Sequence, residues 1–245
     1  MCTASWLAAG DEFHFLFNRD ERRTRARGLP PRRGNAGATA FVAPIDAEAG
    51  GTWIAVSGCG LLLALLNRTA NSPADAEPRP GSVSRGTLIP SLVDAADANA
   101  VFARLAATDL HALAPFRLVV RDGQSGAIAT ATWNRSSLER RQLDPQSGLL
   151  CSSSLGDRRV TDARTPIWER LRSDGTPLTL EKLRSFERSH EPAPSAESVC
   201  MHRDDAETVS QTEIRIDPRT VTMRYTDGPP CGTDVSLEMS LERSR

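Results

Sequence analysis

The chain has 245 residues, 39% of them hydrophobic, which is enough to bury the core of one large domain. Thirty Lys and Arg against 31 Asp and Glu leave a net charge of -1, so no global field draws the protein to nucleic acid or anionic lipid, and no nucleic acid is expected as a partner. The longest apolar run, Leu61 to Leu66, is far short of the ~20 residues that cross a bilayer, so no membrane span is expected.

The opening stretch lacks a basic region and is cut by Asp11 and Glu12, which argues against a secretory signal and for a cytoplasmic protein. Five cysteines, Cys2, Cys59, Cys151, Cys200 and Cys231, are odd in number, scattered and without a C-x-x-C pair, as expected of free thiols in a reducing compartment.

Cys2 to Ala9 and Phe13 to Phe17 read as two strands meeting at Gly10-Asp11. Glu21 to Arg33, with six arginines plus Pro30 and Pro31, reads as an exposed loop. Thr52 to Ser57 and Leu61 to Asn67 form a hairpin around Gly58-Cys59-Gly60, its second strand apolar on both faces. Asn71 to Pro80 is a loop. Leu88 to Val93 and Val101 to Leu105 recur at helical spacing, with Asp97 as the N-cap between them. Phe116 to Arg121, Ala127 to Trp133 and Leu149 to Ser152 return to strand character, and Ile167 to Leu171 and Leu180 to Phe186 to helix. Ser198 to His202, Thr208 to Ile216, Thr220 to Thr226 and Val235 to Met239 read as closing strands. Blocks of strands and helices without βαβ alternation predict one α+β domain over residues 1–245, with largely antiparallel sheets covered by helices.

Once Met1 is removed, Cys2 carries a thiol and a free α-amine on one residue, so nucleophile and base coincide; the plainer reading is a small buried residue opening a strand. Asn18-Arg19-Asp20-Glu21, at the far end of the partner strand, brings charge beside the N-terminus. Arg19 would favour thiolate and hold a substrate group, and Asp20 would orient the amine; the alternative is a polar turn with an internal ion pair.

A Met-Cys start, Asn-Arg-Asp-Glu at 18–21, Gly-Gly-Thr-Trp at 50–53 and an apolar strand ending in Asn67-Arg68 together resemble the NRDE family, also named for transport and Golgi organisation protein two. The resemblance implies an N-terminal-nucleophile hydrolase fold, a four-layer αββα sandwich of two antiparallel sheets between helical layers, similar to penicillin acylases and bile-salt hydrolases. It implies Cys2 as nucleophile, Arg19 and Asp20 as the charged pair beside it, and Asn67 as an oxyanion donor; a strand-end cap is the other reading of Asn67.

A second Asn, implied near 149–154, is replaced by Cys151-Ser152-Ser153-Ser154, where the Ser152 and Ser153 hydroxyls would have to contact the substrate instead. Arg203 is a candidate for holding an anionic substrate group. Cys200-x-His202 offers two ligands, too few for a structural zinc site, and reads as a core thiol and a loop histidine, so neither metal nor cofactor is expected. Neither a G-x-S-x-G elbow nor a phosphate-binding G-x-x-x-x-G-K-[ST] loop is present.

The expected activity is a cysteine hydrolase or acyltransferase acting on a small linear amide or acyl compound. The alternative is a non-catalytic carrier or trafficking protein that binds a hydrophobic ligand such as haem or acyl-coenzyme A (acyl-CoA) in the same pocket. The sequence leaves the oligomeric state open.

Overall fold

The computed structural model describes residues 2–68, 83–191 and 193–244. Period-two alternation builds its first hairpin. In β1 (Cys2–Ala9), Cys2, Ala4 and Trp6 face one way, and Thr3, Ser5 and Leu7 the other. β2 (Glu12–Arg22) places Phe13, Phe15 and Phe17 on the face of Cys2, and its register sets Arg19 opposite Cys2. Asn18 to Glu21 therefore lie within a strand, not in a polar turn.

The first sheet is antiparallel, in the order β10 (Ser147–Ser152), β1, β2, β11 (Ala206–Ile216), β12 (Thr220–Thr226), β13 (Ser236–Glu242). The second is a seven-stranded meander of β3 (Leu29–Ala36), β4 (Thr39–Ile45), β5 (Ile54–Ser57), β6 (Leu62–Asn67), β7 (Phe116–Arg121), β8 (Ile128–Trp133) and β9 (Leu138–Leu143).

The sheets pack face to face through Trp6, Phe15 and Phe17 against Ile54, Val56, Leu62 and Ala64. On the outer face of the second sheet, Leu61, Leu63 and Leu65 meet α1 (Leu88–Leu92) and α2 (Ala98–Ala107). On the outer face of the first, Leu7 and Leu16 meet α3 (Asp157–Ser173) and α4 (Leu180–Glu187) through Trp168, Leu183 and Phe186. This is the expected αββα sandwich. It explains why Leu61 to Leu66 is apolar throughout: alternate residues are buried in different layers, each leucine contributing about 1.5–3 kcal/mol.

Asp97 caps α2 as expected, its Oδ1 accepting from the Ala100 amide at 2.7 Å. Two readings are corrected. The segment from Glu21 to Arg33 is irregular only at residues 23–28, because β3 is an edge strand with a register shift between Leu29 and Arg32. Pro30 and Pro31 fall inside that shift, where no ladder donor is needed. The segment from Ser198 to His202 is not a strand; only His202 forms an isolated bridge, to Glu207. Loop hydrogen bonds hold this backbone instead: the Cys200 amide donates to the Ser189 carbonyl at 3.0 Å, Ser198 Oγ donates to the Cys200 carbonyl at 2.7 Å, and Arg164 donates to the Glu197 and Ser198 carbonyls. β4 and β9 had no counterpart among the expected elements. The loop expected at Asn71 to Pro80 lies outside the described residues.

Candidate active site

Cys2 begins β1 between Arg19 of β2 and Ser152 of β10. It lines a cavity of about 100 Å3 with Arg19, Asp20, Glu21, Arg25, Asp46, Thr52, Trp53, Leu65, Asn67, Ser84, Arg85 and Gly86. Two close approaches shape the wall. Gly51 lies so near the 3-10 turn Arg85–Thr87 that a Cβ would stand 2.5 Å from the Gly86 carbonyl carbon, and the Thr52 amide donates to the Gly86 carbonyl at 3.1 Å. This contact fastens Arg85 at the cavity. A Cβ on Gly28 would lie 2.4 Å from the Trp53 ring, so glycine there leaves room for the indole.

The Arg19 guanidinium stacks over Trp53 at 4.3 Å and is 3.7 and 3.8 Å from carboxylate oxygens of Glu21 and Asp46. Its Nη1 is buried with no hydrogen-bond partner among the described residues. An always-charged donor that is 5% exposed and unspent invites an acceptor on a bound molecule. Arg25 is committed to Asp46 at 2.9 Å. Arg85 donates to the Pro115 carbonyl at 2.8 Å; burial lowers its pKa, while the Cys2 and Glu21 charges raise it.

Burial pushes the Cys2 thiol up, which leaves it protonated at rest. The positive charge of the chain's amino terminus opposes that, as do Arg19 and a hydrogen bond from the Asp20 amide. Burial also raises the Asp20 carboxyl, against Arg164, the amino-terminal charge and the Thr208 hydroxyl, which donates to Oδ1 at 2.6 Å.

The side chain of Asp20 belongs to a polar network beneath α3 and α4. Arg164 of α3 donates to Thr3 Oγ1 at 2.5 Å and stands 4.0 Å from Asp20 Oδ2, both side chains essentially solvent-free. Asn18 donates to the Glu187 carbonyl at 2.8 Å and accepts from Gln211 at 3.0 Å, and Ser5 donates to the Glu187 carboxyl at 2.5 Å. Burial raises Glu187 from 4.5 to about 8, so the fold keeps it neutral at pH 7.

The structure therefore gathers Cys2, Arg19, Asp20 and Asn67 at one cavity. Ser152 stands beside Cys2, but its hydroxyl lies 3.5 Å from the Cys2 carbonyl and it does not line the cavity. Ser153 and Arg203 are not among the residues that line the cavity. Ser153 serves the start of α3, its amide donating to Asp157 at 3.0 Å and its hydroxyl accepting from the Leu155 amide at 3.1 Å. Arg203 pairs with Asp205 at 2.8 Å on the turn before β11. Arg85, Asp46 and Arg25 were not foreseen. The available signal was Arg85-Gly86 immediately before a helical apolar pattern, a charged residue held by a glycine contact.

The chain matches no curated protein sequence. Solved structures share its fold. A Caenorhabditis elegans N-acylethanolamine-hydrolyzing acid amidase ortholog superposes with a TM-score of 0.61 at 11% identity, over 87% of this chain and 92% of that one. A variant of conjugated bile acid hydrolase from Clostridium perfringens gives 0.51 at 10% identity over 99% and 97%. A further mutant of the same hydrolase gives 0.50 at 12% identity over 100% and 97%. At such identities the likeness is one of fold, that of the N-terminal-nucleophile hydrolases. The model of the family Transport and Golgi organisation 2 matches residues 1–225, and with that span and the Cys2, Asn18-Arg19-Asp20-Glu21 and Asn67 positions in place, the chain belongs to this family.

Proposed function

We propose that the chain is a cysteine N-terminal-nucleophile hydrolase or acyltransferase acting on a small linear amide or acyl compound. The observation that carries the reading is the placement of Cys2, at the start of β1, in a charged cavity that Arg19, Asp20 and Asn67 also line and where one arm of Arg19 is unspent. With Met1 removed, the α-amine of Cys2 takes the thiol proton and Sγ attacks the acyl carbon. The same amine then returns the proton to the leaving amine. A Cys2 thioester remains, and water or a second acceptor takes the acyl group from it.

Asp20 orients the amine. Asn67 and Arg85 line the cavity where the oxyanion develops, and losing one such donor costs ~10²-fold or more in rate. Arg19 receives the polar end of the substrate. The fold shared with an N-acylethanolamine-hydrolyzing amidase and a conjugated bile acid hydrolase supports amide chemistry as a class. A cavity of about 100 Å3 walled by guanidinium and carboxylate groups suits a small polar head group better than the apolar macrocycle of haem.

Intact-mass analysis after treatment with an acyl electrophile tests the reading. The expected product has lost Met1 and gained one acyl group, and Cys2→Ala gains none. Turnover by protein that retains Met1 would refute the mechanism.

A further inference from the structure

A second cluster lies outside the cavity. His190 follows the end of α4, Cys200 and His202 precede β11, and Cys231 sits on the turn between β12 and β13. Their four ligand atoms all lie within 4.8 Å of one another. His202 Nε2 is 3.1 Å from His190 Nε2, 3.4 Å from Cys231 Sγ and 3.7 Å from Cys200 Sγ.

Hydrogen bonding does not account for that convergence, because an imidazole nitrogen offers either one lone pair or one N–H and satisfies one partner, not three. Coordination does. With Zn–N of about 2.05 Å and Zn–S of about 2.3 Å, the edges of a tetrahedron are about 3.3 Å between two nitrogens and about 3.6 Å between nitrogen and sulfur. The nitrogen–sulfur separations of 3.4 and 3.7 Å bracket their expected edge, and the nitrogen–nitrogen separation of 3.1 Å falls slightly inside its own.

We propose that His190, Cys200, His202 and Cys231 form a Cys2His2 site for a tetrahedral divalent metal, with zinc as the fitting ion. Beside Cys200-x-His202, which alone offers two ligands, the fold places His190 and Cys231. The other ligands are contributed from 10 residues before Cys200 and 29 after His202, spacings that match no compact motif. Cys200 is buried and Cys231 exposed, so the ion has an entry path from the Cys231 side.

The site would clamp a segment that otherwise lacks regular structure. Between two of its ligands lies Met201, whose amide donates to Thr208 Oγ1 at 2.8 Å, and that hydroxyl donates to Asp20 Oδ1 at 2.6 Å. A metal here would hold the support of Asp20 from behind, whatever reaction Cys2 performs.

Cobalt(II) titration of the full-length chain, reduced and stripped of metal, tests the proposal. Expected are one equivalent bound, a tetrahedral d–d spectrum with thiolate charge transfer, and displacement by zinc. Cys231→Ser, at an exposed turn, should fold and weaken cobalt binding at least about tenfold. Cys59→Ser should bind as the parent does. His190→Ala should lose affinity in parallel with Cys231→Ser. A six-coordinate spectrum, unchanged affinity in Cys231→Ser, or no binding after full reduction because Cys200 and Cys231 serve only as a disulfide pair would overturn it.

Discussion

The two helical layers cover their sheets by different means. Over the second sheet, α1 and α2 press Leu88, Ile89, Leu92, Val101 and Leu105 onto Leu61, Leu63, Leu65, Leu118 and Val120, an oily contact that needs only the right volume. Over the first sheet, α3 and α4 begin the same way, with Trp168, Leu183 and Phe186 on Leu7 and Leu16. Toward Cys2 that contact becomes polar, with Arg164, Glu187, Asp20, Asn18, Thr3 and Thr208 all buried. A layer that only shelters a sheet is best made of hydrocarbon. A layer that also buries charged groups is made of donors and acceptors in fixed directions, at a cost in desolvation.

Arg164→Met breaks that contrast most severely, because it makes the polar layer resemble the apolar one. It strips Thr3 of its 2.5 Å donor and the Glu197 and Ser198 carbonyls of theirs, and removes the cation 4.0 Å from Asp20. The expected loss is about 3–5 kcal/mol of folding stability, read as a lower denaturation midpoint. Acyl labelling of Cys2 should fall in conditions where the variant stays folded. A stability loss under about 1 kcal/mol would mean that the network is not what holds Asp20.

Leu63→Ala is the matching change in the apolar layer. Leu63 is fully buried against α1 and α2, and truncation should cost about 2–4 kcal/mol through lost transfer energy and a cavity. Labelling of Cys2 in the folded variant should stay at the parental level. If it fell as far as in Arg164→Met, the functional difference between the layers would disappear.

The same contrast explains what could be read from the sequence. The apolar layer was legible: an uninterrupted apolar run from Leu61 to Leu66 signals a strand covered on both faces, and 3.6-residue spacing from Leu88 to Leu105 signals the helices that cover it. The hairpin carrying Cys2, Arg19 and Asp20 was legible for the same reason, since aromatic alternation in Phe13 to Phe17 continues into the charged residues. Arg85, Asp46 and the network residues Arg164 and Glu187 were not. They arrive from separate loops and helices, where one charged residue looks like any solvated one until the fold removes its water. Ser153 and Arg203 show the converse: polar chemistry suited to a substrate also serves a local use, at a helix start and on a turn.

Glu187→Gln is the gentlest of the three changes and reports on the polar layer's charge state. In the folded chain burial raises this carboxyl from 4.5 to about 8, so between those values the native state keeps a proton that the unfolded chain releases. The proton's contribution to stability is fully present below pH 4.5 and is lost as pH rises toward 8, at up to about 1.4 kcal/mol per pH unit. Glutamine is neutral at every pH and its Oε1 can accept the Ser5 hydroxyl as Glu187 Oε1 does. Denaturation midpoints measured from pH 5 to 8 should therefore fall more steeply in the parent than in Glu187→Gln, with the two closest near pH 5. Parallel curves would place a charged Glu187 in the folded state, and the polar layer would then hold two buried carboxylates against the single guanidinium of Arg164.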